Sequence, residues 1–344
     1  MSIIGYYVSG NTAKGPLHYL TSNLNHLNQV IVLKHPSETV KTRVIKKVLH
    51  ALDMKQGVEI IKSPLGNTYL DGILIRESST AILTDRMNTK LDRVIELDLG
   101  EAQKTNENYR SNEEKYLSLM HDAYANFATG LNIHDELEAI YIKEMNFERA
   151  DKLADDLIAK LLKSIKAQSR QGHVFHRFFG TNTVDGVVNE VPGLIEDIAN
   201  VYFIKGRAGT GKSTFMKKIA TACERYNFDV ELYHCSFDPN SLDMVRVPEL
   251  DFCIFDSTDP HEFFPERDGE IIIDLYEETV TKGTDEKYAD QINAINTQYK
   301  SYMKKGIQDI QKASVYLEKN ENQFTYSDEE MMKAFHSIMK IVSK

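Results

Sequence analysis

The sequence predicts an α/β protein made of two homologous parallel-sheet halves, residues 1–170 and 171–344, each with an appended helical hairpin. Three observations predict it: a self-match at half the chain length, an alternation of strand-like and helix-like segments, and two charged tails of helical period. Sliding the sequence on itself by 171 residues sets Asn11-Thr12-Ala13-Lys14-Gly15 on Asn182-Thr183-Val184-Asp185-Gly186. Val30-Ile31-Val32-Leu33-Lys34 then falls on Val201-Tyr202-Phe203-Ile204-Lys205 without a gap. Nine positions from Asn11 to Val48 are identical, where average residue frequencies give about two. A shift of 172 carries the match on, with Glu59 on Glu231, Leu70-Asp71 on Leu242-Asp243 and Glu114-Lys115-Tyr116 on Glu286-Lys287-Tyr288. Such a period reads as a duplication.

Each half then follows one plan. A short strand, 5–8 or 174–179, ends in the Asn-Thr-x-x-Gly turn, and a polar helical stretch follows. Next come a β-branched or aromatic strand, 30–33 or 201–204, and a helix from about 41 or 212. Strands at 59–62 or 231–234 and at 81–83 or 252–255 complete the core. Strands alternating with helices argue for a parallel sheet covered on both faces. The tails, 112–129 with 133–166 and 285–320 with 327–342, read as the hairpins; Leu153, Leu157, Ile158, Leu161, Leu162 and Ile165 recur at helical spacing.

Composition narrows the function. Acidic residues number 51 against 41 basic ones, and the resulting formal charge of −10 argues against a nucleic-acid binder, which needs a basic surface. Cys223, Cys235 and Cys253 show no metal-binding spacing and fit a reduced, cytoplasmic compartment. The first residues lack a basic leader and no window is apolar enough to span a bilayer, so no membrane association is expected.

The sharpest local signal is Gly206-Arg207-Ala208-Gly209-Thr210-Gly211-Lys212-Ser213, which satisfies G-x-x-x-x-G-K-[ST] between a strand and a helix. Glycines allow successive N–H groups to point inward at phosphate oxygens, and the helix presents its positive end to the same anion. Lys212 is expected to neutralise the β- and γ-phosphates, Ser213 to reach Mg²⁺, and Thr214 to close the set of nucleotide-binding positions. Phe252-Cys253-Ile254-Phe255-Asp256 is four apolar residues followed by a carboxylate, so Asp256 is the second metal candidate; a strand-ending cap is the alternative. Glu262 or His261 is a candidate general base, and both read equally as plain loop residues. Asp238, Asn240 and Asp243, in the polar loop after His234-Cys235, read first as turn and cap residues.

The repeat supplies a control. Opposite the loop stands His35-Pro36-Ser37-Glu38-Thr39-Val40-Lys41-Thr42, with His35, Glu38 and Val40 in place of the glycines. Thr84 stands opposite Asp256, and Thr89-Lys90 opposite His261-Glu262. The first half is therefore expected to bind no nucleotide and to act as scaffold or regulator.

Asn182-Thr183-x-x-Gly186, the phosphate loop, His234-Cys235-x-x-Asp238-x-x-Ser241-Leu242-Asp243 and Asp256-x-Thr258-x-Pro260-His261 recur in one order. Together they resemble a family of tandem P-loop ATPase-like proteins of Gram-positive bacteria. The resemblance spans the chain and implies a P-loop nucleoside triphosphatase fold with ATP binding, but no physiological substrate. Ala208 departs from the proline frequent in that loop, and the degenerate first-half loop departs from two-site relatives. The leading expectation is Mg²⁺-dependent ATP binding and slow hydrolysis, with Arg43 offered as the arginine from the other half. A small-molecule kinase is the alternative, as is a nucleotide-gated module whose hairpins engage a protein partner. Thr281-Lys282-Gly283-Thr284 does not meet the guanine-reading pattern, because its Asp arrives one place late at Asp285.

Overall fold

The computed structural model describes residues 3–52, 57–87, 94–100 and 106–342. The first half builds β1 (Ile4–Tyr7), the hairpin β2 (Ser9–Thr12) and β3 (Gly15–His18), the short helix α1 (Leu20–Leu24), β4 (Gln29–Lys34) and α2 (Glu38–Ala51). It continues through β5 (Val58–Lys62), β6 (Leu70–Ile75), β7 (Thr80–Thr84) and β8 (Val94–Asp98) into the helices α3 (Glu107–Lys143) and α4 (Phe147–Leu161). The second half begins with β9 (Val174–Arg177), β10 (Gly180–Thr183), β11 (Gly186–Asn189), α5 (Val191–Ile195), β12 (Asn200–Lys205) and α6 (Lys212–Arg225). Then come β13 (Val230–His234), β14 (Leu242–Val247), β15 (Phe252–Asp256), β16 (Glu270–Asp274), α7 (Leu275–Thr279), α8 (Thr284–Lys287), α9 (Ala289–Glu321) and α10 (Asp328–Val342).

The sheets have six strands each, ordered β1-β5-β6-β7-β4-β8 and β9-β13-β14-β15-β12-β16, so corresponding strands hold corresponding places. They are mixed, which corrects the parallel sheets expected from the sequence. β6 and β14 run antiparallel to both neighbours. The connections 63–69 and 76–79 explain this, because they are shorter than the crossover of about a dozen residues that a parallel pair needs.

The tails also differ from expectation. They do not fold back as hairpins. α3 and α9 lie antiparallel along each other, tied by Asn112 Nδ2 to Asn320 Oδ1 at 2.9 Å and Asn126 Nδ2 to Asp309 Oδ2 at 3.0 Å. Buried Met120, Ala123, Phe127, Gly130 and Leu137 recur at the three-and-four spacing of a helix-pair seam. Gly306 is required there: a Cβ would stand 2.3 Å from the Phe127 ring. The terminal helices cross over, α4 packing on α6 and α7 of the second half, and α10 on α2 of the first. Apolar periodicity marks a helix's buried face but not the sheet that it covers, so the exchange was not legible.

One face of each sheet is covered by this exchange; the other faces meet around Val8, Val32 and Leu83 from the first half and Phe179, Phe203 and Phe255 from the second. The two Asn-Thr-x-x-Gly hairpins touch at this junction. Asn11 Nδ2 donates to Asn182 O at 2.7 Å, and Asn182 Nδ2 returns a bond to Asn11 O at 3.0 Å. The turn is thus architectural. Beside it Arg177, 1% exposed, bridges Glu59 at 3.0 Å and Glu231 at 3.2 Å, and lies 3.8 Å over the Tyr6 ring. Among the described residues no helix is long and apolar enough to cross a membrane.

Candidate functional site

Residues 206–211 turn the chain from the end of β12 into α6, inside a cleft of about 1470 Å³. Gly209 and Gly211 adopt φ +72° and +77°, a region that L side chains rarely visit. Gly209 is also the seat of α3: a Cβ there would stand 2.6 Å from the Glu138 carbonyl oxygen. Thr210 braces the turn, donating to Arg207 O at 2.8 Å and accepting from Arg207 N at 3.2 Å. Arg207 is held by Asp285 at 3.0 Å and stacked 4.7 Å from the Tyr276 ring centroid. Ala208 packs with Tyr141 and Met145. Gly211 offers α6 no capping side chain, so its first-turn amides keep their donors, and exposed Thr214 lies in that turn.

The charged residues gather beside the loop. Lys212 Nζ donates to Arg207 O at 2.8 Å and lies 3.5 Å from Asp256. Ser213 Oγ accepts from Leu242 N at 2.9 Å. Asp256 ends β15 next to Ile204 of β12 and accepts from Thr258 Oγ1 at 2.7 Å. β14 pairs Met244 with Phe255, and Asp243, the residue skipped by the β13 register, stands close enough to Asp256 to feel its charge. Burial first, and then the Asp256 charge, push the Asp243 carboxyl well above the usual carboxylate range. The sequence had favoured a cap role for Asp243; its repeat partner Asp71 was the available signal. His261 meets Phe179 edge-on at 5.0 Å, and its buried Nδ1 has no hydrogen-bond partner. Burial lowers its pKa, leaving it neutral near pH 7. Glu262 pairs with Lys205 at 3.2 Å. Both line the cleft, whereas Arg43 does not; it faces Asp328 at 4.0 Å.

A first-half helix supplies one wall that the motif did not announce: His134, Glu138 and Tyr141 of α3 line the cleft where the helix crosses the loop. Burial and then Lys212 push the His134 imidazole down to about 4.

The equivalent junction in the first half is closed by its own side chains. Lys41, 2% exposed, pairs with Glu38 at 2.9 Å and with Asp85. Glu321, at the end of α9, accepts from Glu38 N at 2.8 Å, Thr39 N at 3.0 Å and the Ser37 hydroxyl, so a carboxylate already sits on the N-terminus of α2. Asp71 is paired with Arg86 at 2.5 Å. Leu33 pairs with Thr84 in the register where Ile204 pairs with Asp256. Thr89-Lys90 lies outside the described residues. Glu321→Ala removes an acceptor shared by three donors; thermal unfolding should show a loss of about 1–3 kcal/mol, with no gain of nucleotide binding.

No protein-family model, curated protein or solved structure matches the chain.

Proposed function

We propose that the chain is a tandem P-loop protein that binds a magnesium nucleoside triphosphate, taken as ATP, at Gly206–Thr214 and hydrolyses it slowly. The first half contributes a wall rather than a second site. The carrying observation is the contrast between the two junctions. In the first, Glu38, Asp85 and Glu321 supply anions to Lys41 and the α2 N-terminus, and Arg86 supplies a cation to Asp71. In the second, Gly209 and Gly211 replace the anionic and bulky side chains, Thr258 stands where Arg86 does, and Asp243 lies near Asp256. A polyanion and a divalent cation together satisfy what the second junction leaves open.

The donor set fits Mg²⁺. Among the described residues no group of three or more His, Cys, Asp or Glu could hold a metal. Asp256, Asp243 and Ser213 with phosphate oxygens make the oxygen-rich, partly hydrated shell that Mg²⁺ prefers. When bound, the cation would neutralise charge on the β- and γ-phosphates. Lys212 would turn from Arg207 O to the transferred phosphoryl group, and the loop amides would hold it in line. Neutral His261 can accept a proton from water; Glu262 is the second candidate, paired through one carboxylate oxygen with Lys205. ATP is the default choice of nucleotide, because Thr281–Thr284 does not meet the guanine-reading pattern.

A second reading, transfer to a small acceptor, draws on the cleft's size. Its volume of about 1470 Å³ exceeds the roughly 300–1,000 Å³ of one small-ligand pocket. Phe237, Asp238 and Tyr299 are among the residues that line it. Phosphate release from Mg·ATP by the wild type and Lys212→Ala, with and without Mg²⁺, tests the proposal. Turnover only with an added metabolite favours transfer.

A further inference from the structure

We propose that the corner between α3 and α4 is the nucleobase platform of this site, with Phe147 stacking on the base and Ile142 packing beside it. The inference rests on the triphosphate reading above and adds where the nucleoside goes.

Sheet order gives the direction. β12 lies between β15 and β16. Asp256 ends β15, so the γ-phosphate end of the ligand faces that side, with Lys212. The nucleoside must then leave toward the β16 side, where α7 begins. The α3–α4 corner is fastened there. Asn146 N donates to Thr279 O at 2.7 Å, Thr281 N to Glu144 O at 2.9 Å, and Arg149 pairs with Glu278 at 2.6 Å. Met145 approaches the loop itself, 3.4 Å from where a Cβ on Gly211 would be.

Between these anchors the corner leaves two large apolar side chains open: Ile142 is 44% exposed and Phe147 54%. Both line the same cleft as Arg207 and Ala208. Elsewhere on α4 the large apolar side chains are buried or half-buried, Leu157 among them beside Ala154, so Phe147 is the large apolar residue that this helix leaves exposed. Fraying does not account for it, because Asn146 caps the helix through Arg149 N at 2.9 Å. A base tethered to phosphates held by the loop of the same cleft is the occupant that the geometry supplies. Aromatic stacking suits it, since every base presents a π-face.

The test compares ATP with inorganic tripolyphosphate, both with Mg²⁺, by calorimetric titration of the full chain. Phe147→Ala should weaken ATP binding about tenfold and leave tripolyphosphate unchanged, and Phe147→Trp should restore ATP binding. Equal affinity of wild type and Phe147→Ala for ATP would overturn the platform, as would parallel loss of both ligands. The phosphate reading is judged separately: it fails if neither ligand binds wild type, or if Lys212→Ala binds both as before.

Discussion

Lys212→Ala should lower ATP turnover at least about 100-fold, the usual cost of removing one group that stabilises transition-state charge, while leaving the fold intact. Its amine spans only from Arg207 O to Asp256, and the glycines at φ +72° and +77° shape the loop without it. The mirrored substitution, Lys41→Ala, should do the reverse. Lys41 is 2% exposed between Glu38 and Asp85, and burial already raises the Glu38 pKa. Removing the cation strands a buried carboxylate, which costs about 3–5 kcal/mol. Denaturant unfolding should show that loss, and per-molecule nucleotide binding of the folded fraction should be unchanged. Two aligned lysines with opposite consequences would separate a ligand site from its internalised counterpart.

Arg177→Met should destabilise the chain by about 3 kcal/mol, the low end for a broken buried pair, read as a lower midpoint in urea with an unchanged slope. Arg177 crosses the junction between halves, meeting Glu59 of the first and Glu231 of the second. Arg76 and Arg246 remain to pair with those carboxylates, at 2.6 and 3.1 Å, so the loss falls short of a wholly unpaired charge. The same cluster sets an acid limit. Burial opposes ionisation of Glu59, but Arg177 and Arg76 outweigh it and hold its pKa down to about 2. A depressed folded-state pKa contributes stability above the unfolded value of about 4.3 and loses it as the pH falls toward 2. The melting temperature should drop through that window, and less steeply in Arg177→Met.

Much of the site was legible because its chemistry is local. A Gly-x-x-x-x-Gly-Lys-Ser run fixes its own backbone, and four apolar residues before Asp256 specify a strand ending beside it. The repeat also located the substituted junction of the first half, and the register of Thr84 and Asp256 agrees with that alignment. What the sequence hid is long-range. Strand reversal at β6 and β14 depends on connection length, and the exchange of α4 and α10 on which sheet lies nearer. Glu321 could not be placed on the α2 N-terminus by pattern, since nothing local distinguishes it from other acids on α9. Asp243 was readable only through Asp71, and the wall formed by His134 and Glu138 only once α3 was seen to cross the loop.

The most direct measurement is the stoichiometry of Mg·ATP on the full chain by calorimetric titration. The account predicts one nucleotide per chain, dependent on Mg²⁺. Two per chain would mean that Glu321 and Glu38 do not close the first junction, and none would mean that the loop at Gly206–Ser213 is not a phosphate cradle; either result contradicts it.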